Sequence, residues 1–375
     1  MSDSEPDLEL LELLRQHLAG KPQKASEPET GVLESAEYVY NNSIDVALDM
    51  RSCKNAAKAI YSQMQIKSYS PATWSSHELH PHPSKGDKPE DVVAFIFAMD
   101  LLNFSFWSEK SEEERFAIEY KGKKWTGYWS LVAGLQRALE EGIPITDPHF
   151  WQNEDEFTIE TLRHVFRSAT SEQMPLLQAR LSCLREAGQI LYEKYSCHPL
   201  HLITTSRHSA ARLVNLLSDT FPCFNDSHFP LDTPFTRRKP IRLLKRAQIL
   251  VADLWACFEG QGPYGTFHDI DKITMFADYR IPQMLNQMGC LQYSPPLETA
   301  IRLKRDIPSG SNWEIQLRAC SIWCVELIRR EIVKENPGAK VNAILIDFFL
   351  YDTIKEMEEE GSETVPHHRT RSIWY

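Results

Sequence analysis

The chain reads as a mainly α-helical protein carrying one small β-hairpin, and three observations lead there. Apolar residues recur at the spacing of a helical turn over most of its 375 residues. Only one segment shows strand-rich runs that meet across a glycine turn. Hydrophobic residues make up 42% and charged residues 25%, the balance of a folded globular chain and not of a disordered or fibrous one.

Taken in order, residues 1–34 mix the amphipathic run Leu8 to Leu18 with Gly20-Lys21-Pro22 and a polar stretch, too little to close a core. They are expected to form a disordered acidic and polar tail, followed by a single domain over 35–375. From Ser35 to Met64, Val39, Ile44, Leu48, Ala56, Ala59 and Ile60 predict two helices, with Asn42, Ser43 and Asp45 as start signals. Between Tyr69 and Glu90, Pro71, Pro81, Pro83 and Pro89 push the chain out of helix, predicting an ordered loop or lid. Val92 to Phe106 is strongly apolar and belongs in the interior. Phe116–Tyr120 and Lys124–Tyr128 flank Lys121-Gly122-Lys123 as the hairpin.

Helical spacing then returns over Trp129–Glu141, Ile159–Arg167, Met174–Tyr195 and Ser209–Leu217. A further helix is predicted over Pro240–Phe258, opened by its proline and burying Ala247, Leu250, Val251, Leu254 and Phe258. Lys245 falls opposite that stripe and must face water or a cleft. Another helix starts at Ser311, whose spacing to Glu314 is that of a capping box.

A net charge of −11 argues against a protein that lives on a phosphate backbone, where many cations must displace counterions. A small ligand is expected, with no direct nucleic-acid partner. No stretch approaches the ~20 apolar residues of a membrane helix, and the acidic start lacks the basic region of a secretory signal. The expected setting is the cytosol or nucleus, and the expected state a monomer. Eight scattered cysteines include no Cys-x-x-Cys pair. Cys320 and Cys324 share a helix face without companions, so neither metal nor other cofactor is expected.

Asp278 lies on a connection just before Pro282, which is expected to keep Ile281 extended and to open a helix Gln283–Met288. It either faces a ligand or caps local backbone N–H groups. Arg237, Arg238, Lys239, Arg242, Lys245 and Arg246 put six cations into ten residues, a phosphate-holding patch or a solvated basic face. Asp347 and Asp352 interrupt the apolar run Val341 to Tyr351, where an acid needs a partner or a task. Five residues apart, they share a face on neither helix nor strand. His80 either donates to a ligand or bonds a loop carbonyl, and Phe104, Phe106 and Trp107 either stack on a planar base or fill core.

Several colinear blocks resemble the queuosine salvage family: Asn103–Trp107, Gly127–Leu131, Glu141–Pro144, Lys245–Asp253, Ile273–Arg280, Cys324–Arg329 and the ending His368–Arg371. The resemblance implies a helical fold similar to helix-hairpin-helix DNA glycosylases. It implies hydrolysis of the N-glycosidic bond of free queuosine 5′-phosphate, releasing queuine, a 7-deazaguanine with a cyclopentenediol on an aminomethyl arm. By the same resemblance Asp278 is the catalytic aspartate. His80, Phe276, Asp347, Phe348 and Asp352 fall at base or ribose contacts, and Lys245 near the phosphate or ribose. A base in DNA or tRNA, or a carrier that binds queuine without cutting, are the alternatives.

Overall fold

The computed structural model describes residues 28–229 and 239–375. The chain begins with α1 (Val32–Asn42), β1 (Val46–Leu48) and α2 (Met50–Ile66). The expected tail boundary at 34 falls inside α1, because Val32 and Ala36 are already fully buried. The rest of that expected tail, up to residue 27, lies outside the described residues. Both predicted helices form, but Asp49 supplies the start of α2, accepting from the N–H groups of Arg51 and Ser52. Asp45 instead accepts from Ser294.

The proline-rich stretch is an ordered connection holding a short helix, α3 (Ala72–Ser75). It leads into α4 (Pro89–Leu101), which is buried on every side from Phe95 onward. The hairpin β2 (Ala117–Tyr120) and β3 (Lys123–Thr126) forms where expected. Its two turn residues, Lys121 and Gly122, have φ of 50° and 72°, the left-handed pair that matches strand twist. Then come α5 (Tyr128–Glu140), α6 (Pro148–Gln152), α7 (Ile159–Val165), α8 (Leu177–Lys194), α9 (Leu200–Ser206) and α10 (Ala210–Thr220).

One prediction fails at a boundary. Pro240 does not open a helix: β4 (Ser227–His228) pairs with β5 (Ile241–Arg242), and α11 (Lys245–Cys257) starts five residues after the proline. Leu244, at φ 48°, makes the sharp entry. The Asp226 carboxylate accepts from the Lys245 N–H and holds it. Nor does α11 bury a single stripe, since Lys245 to Leu254 are all buried. Its polar residues are partnered inside; Arg246, for example, donates to the carbonyls of Leu101 and Cys223.

The remainder is α12 (Gly262–Gly265), α13 (Arg280–Gln287), β6 (Leu291–Tyr293), α14 (Pro295–Arg302), α15 (Asn312–Glu335) and α16 (Ala343–Glu359). Ser311 caps α15 as predicted, accepting from the Glu314 N–H, while Glu314 reaches back to Gly310. Strand β6 pairs antiparallel with β1, a contact across some 245 residues that no local pattern reveals. One core cluster runs from Val32 to Ile354, with α11 against α3, α4 and α10, α15 against α1 and α2, and α13 against α16. Among the described residues no helix is long and apolar enough to cross a membrane.

Candidate active site

A cavity of about 680 Å³ opens between α3, α5, α11, α16 and the segment before α13, with aromatic walls and converging carboxyl groups. It brings together the residues to which the family resemblance gives a role: His80, Lys245, Phe276, Asp278, Asp347, Phe348 and Asp352. The segment 273–278 carries no regular structure, so its backbone groups need side-chain partners. It finds one at almost every step. Thr274 N–H donates to Gln248 of α11 at 3.0 Å, Phe276 N–H to Asp347 Oδ2 at 2.9 Å, and the Ala277 carbonyl accepts from Arg318 Nε at 2.8 Å. Three helices thereby fix the residue that follows, Asp278.

Asp278 Oδ1 accepts from the N–H groups of Arg280 and Ile281, both at 2.9 Å. The capping reading holds, and the same carboxylate also lines the cavity. Its surroundings differ from expectation in one respect. Ile281 is helical, and Pro282 sits in the first turn of α13, where a missing N–H costs nothing. Burial pushes the Asp278 pKa up, opposed by Lys245 and by the two capping N–H groups.

Lys245 faces the cleft and not water. Its Nζ lies 3.4 Å from the Asn103 carbonyl, and burial lowers its pKa to about 8 against the pull of Asp278. It is the one member of the basic run that reaches the cavity among the described residues. Arg242 binds Asn215 and Ser218, Arg246 is tied to core carbonyls, and Lys239 pairs with Glu34 on the surface. The run is thus no single patch; Arg237 and Arg238 lie outside the described residues.

Asp347 and Asp352 share the continuous helix α16, so the chain between them does not turn. They line one cavity at different places. Asp347 holds Phe276, and Asp352 accepts from the hydroxyl of Tyr69. Burial raises both pKa values, that of Asp347 further still through Asp278. Phe276 and Phe348 face each other with ring centroids 6.0 Å apart. His80 has both ring nitrogens engaged: Nδ1–H donates to the Trp74 carbonyl and Nε2 accepts from Tyr128, each at 2.7 Å. The histidine is neutral, its pKa driven to about 3 by burial, and its ring stacks on Trp74 at 3.7 Å. Phe106 and Trp107 reach the cavity, whereas Phe104 fills core under Arg180 and Arg246.

Sequence reasoning missed the support behind the site. Arg318 is wholly buried between Asp226 and Glu314, with Tyr375 beneath its guanidinium at 4.9 Å. The partners are 92, 4 and 57 residues away along the chain, so spacing gave no signal beyond the Glu314–Arg318 helical pair. Asp100 and Asp253 were also missed, as acids inside apolar helical runs. Away from the cavity, the sulfur atoms of Cys53, Cys290 and Cys324 lie within 4.8 Å of one another, so Cys324 meets those two and not Cys320. All eight thiols are free and buried.

A helical scaffold that encloses an aromatic and acid-lined pocket, with one carboxylate fixed by backbone donors beside a lysine, has the form of a small-molecule enzyme. Comparison with known proteins gives this class a family. Residues 79–375 match the family described as Queuosine salvage protein, and the chain belongs to it. It is 42% identical over 362 residues to a Queuosine 5′-phosphate N-glycosylase/hydrolase of Schizosaccharomyces pombe, covering 92% of this chain and 99% of the relative. Proteins of the same description from Mus musculus (39% over 348 residues, 91% and 98% covered) and Sphaerobacter thermophilus (35% over 345, 92% and 98%) are similar along the same length.

Proposed function

We infer that this chain is an N-glycosyl hydrolase that cuts queuosine 5′-phosphate into queuine and ribose 5-phosphate. The observation that carries the reading is Asp278, a carboxylate fixed at the cavity wall by two backbone N–H groups and offset by Lys245. Rupture of the glycosidic bond builds positive charge on C1′ and the ring oxygen. A preorganised carboxylate stabilises that charge, aligns the attacking water and takes its proton as the C–O bond forms.

The lengthwise order of groups supports one orientation of the nucleotide. Lys245, Ile249 and Asp253 follow one another at i, i+4 and i+8 along the face of α11 that lines the cavity, a span of ~12 Å. We place the phosphate toward Lys245, the ribose at Asp278 and the base toward Asp253, between the aromatic walls. The amine on the queuine arm is cationic at neutral pH, and Asp347 or Asp352 pairs with it, which favours this base over plain guanine derivatives. Phe276 and Phe348 supply planar contacts, and His80 acts by holding Trp74 and Tyr128 in place. We further place the reaction on a free nucleotide, in a monomer of the cytosol or nucleus; the charge of −11 supports the first point.

The test is direct. Pure protein incubated with queuosine 5′-phosphate should release queuine, and Asp278→Asn should lower the rate at least ~100-fold. An Asn variant as fast as the wild type would remove the mechanism. Stoichiometric binding without turnover would make the protein a carrier.

A further inference from the structure

A 7-deazaguanine is a difficult leaving group, because carbon replaces the N7 that a purine offers for protonation. The C1′–N9 electron pair must move into the pyrimidine ring, which needs a proton or a strong donor there. The candidates above are placed elsewhere: Asp278 works as a carboxylate, Lys245 faces the phosphate, Asp347 and Asp352 serve the amine of the queuine arm, and His80 is neutral with its single N–H committed to a carbonyl.

The wall at the far end of α11 holds a group of the right kind. Asp253 is buried, lines the cavity and has the carboxyl of Asp100 on α4 as its neighbour. Asp100 is completely buried. Its Oδ1 takes a bond from Asn103, and its Oδ2 takes none from any amide, indole or amine among the described residues. Two neighbouring carboxyl groups in an apolar wall cannot both ionise, so one of them carries a proton. Among the described residues no cation forms a salt bridge with either, unlike the arginine-paired Asp226.

We propose that Asp253, backed by Asp100, is the proton donor to the departing base. The inference rests on the hydrolase reading above. As the C1′–N9 bond breaks, its electron pair passes to the base, and the Asp253 proton moves to the ring nitrogen or exocyclic oxygen of the pyrimidine half. Water bonds to C1′ and yields its proton to Asp278. The base leaves neutral, and exchange with solvent returns a proton to Asp253 and removes one from Asp278. Asp100 is a positioning residue that keeps the proton on the pair. Burial favours the protonated form of both acids, pushing Asp100 to about 8 and Asp253 upward with the charge of Asp100 added.

Leaving-group dependence tests this. The substrates are queuosine 5′-phosphate and 4-nitrophenyl ribofuranoside 5-phosphate, whose nitrophenolate departs without protonation. Asp253→Asn should lower turnover of the first by ~100-fold or more, the range of general-acid catalysis, while the second changes less than ~5-fold and queuine binding by calorimetry stays within ~5-fold. Asp100→Asn should show the same selectivity at smaller amplitude, and it carries the test if Asp253→Asn melts too low to assay. Equal losses on both substrates, loss of queuine binding in step with turnover, or full turnover of the nucleotide by both variants overturns the proposal. If wild-type protein cuts the nucleotide but not the nitrophenyl compound, the split between turnover and queuine binding decides. A wild-type protein that releases no queuine removes the hydrolase reading itself.

Discussion

Two buried groups of acids lie on either side of the segment that carries Asp278, and they differ in whether their charge is answered. Behind the segment, Asp226 and Glu314 enclose Arg318. Burial alone would raise the Asp226 pKa, but the guanidinium outweighs it and holds the carboxyl well below the usual range. In front, Asp278, Asp347, Asp352 and Asp253 face the cavity, and burial drives their pKa values up with too few cations to offset it. The first group is complete within the protein and serves as a support. The second is incomplete, which is what a site for a cationic or charge-building ligand requires.

The sharpest way to break this contrast is to remove the support. Arg318→Met leaves two acids buried without their cation and frees the Ala277 carbonyl, so stability should fall by ~3–5 kcal/mol in a urea titration. A loss under ~1 kcal/mol would mean that Asp226 finds water, and that the two groups are alike. Next in size is Lys245→Met. If that ammonium meets the phosphate, KM for queuosine 5′-phosphate should rise ~10-fold or more while cleavage of the unphosphorylated nucleoside changes little. Equal effects on both would move Lys245 to the ribose.

Asp347→Asn has the smallest expected effect, and a sign that only the second group predicts. Because the folded pKa of Asp347 is raised, the native state keeps a proton that the unfolded chain releases above about pH 4. Its burial therefore lowers stability progressively as pH rises from there. The Asn variant, which can still accept from Phe276, should be more stable than wild type by ~0.5–2 kcal/mol at pH 7 and no more stable at pH 4. Asp226 behaves oppositely: its contribution is present above about pH 4 and is lost as pH falls through its depressed pKa. Melting curves at the two pH values separate the cases, and a destabilised Asn variant at pH 7 would place Asp347 with the first group.

Local sequence determined the elements that depend on neighbours along the chain. The hairpin at Lys121-Gly122, the buried run that became α4 and the Ser311 cap of α15 were all legible, because turn chemistry and helical periodicity act over a few residues. The start of α11 was misplaced because β4 and the Asp226 carboxylate, both distant in sequence from Pro240, claim the residues before Lys245. Asp278 was visible as an acid on a connection, and family resemblance alone weighted it toward chemistry. What made it a fixed carboxylate was its tethering by Gln248, Arg318 and Asp347, three helices that meet only in the fold. The same holds for Asp253. In sequence it is an acid in an apolar run; beside Asp100 and the cavity its pKa is driven up, because the burial that sets a pKa is a property of packing and not of the residue.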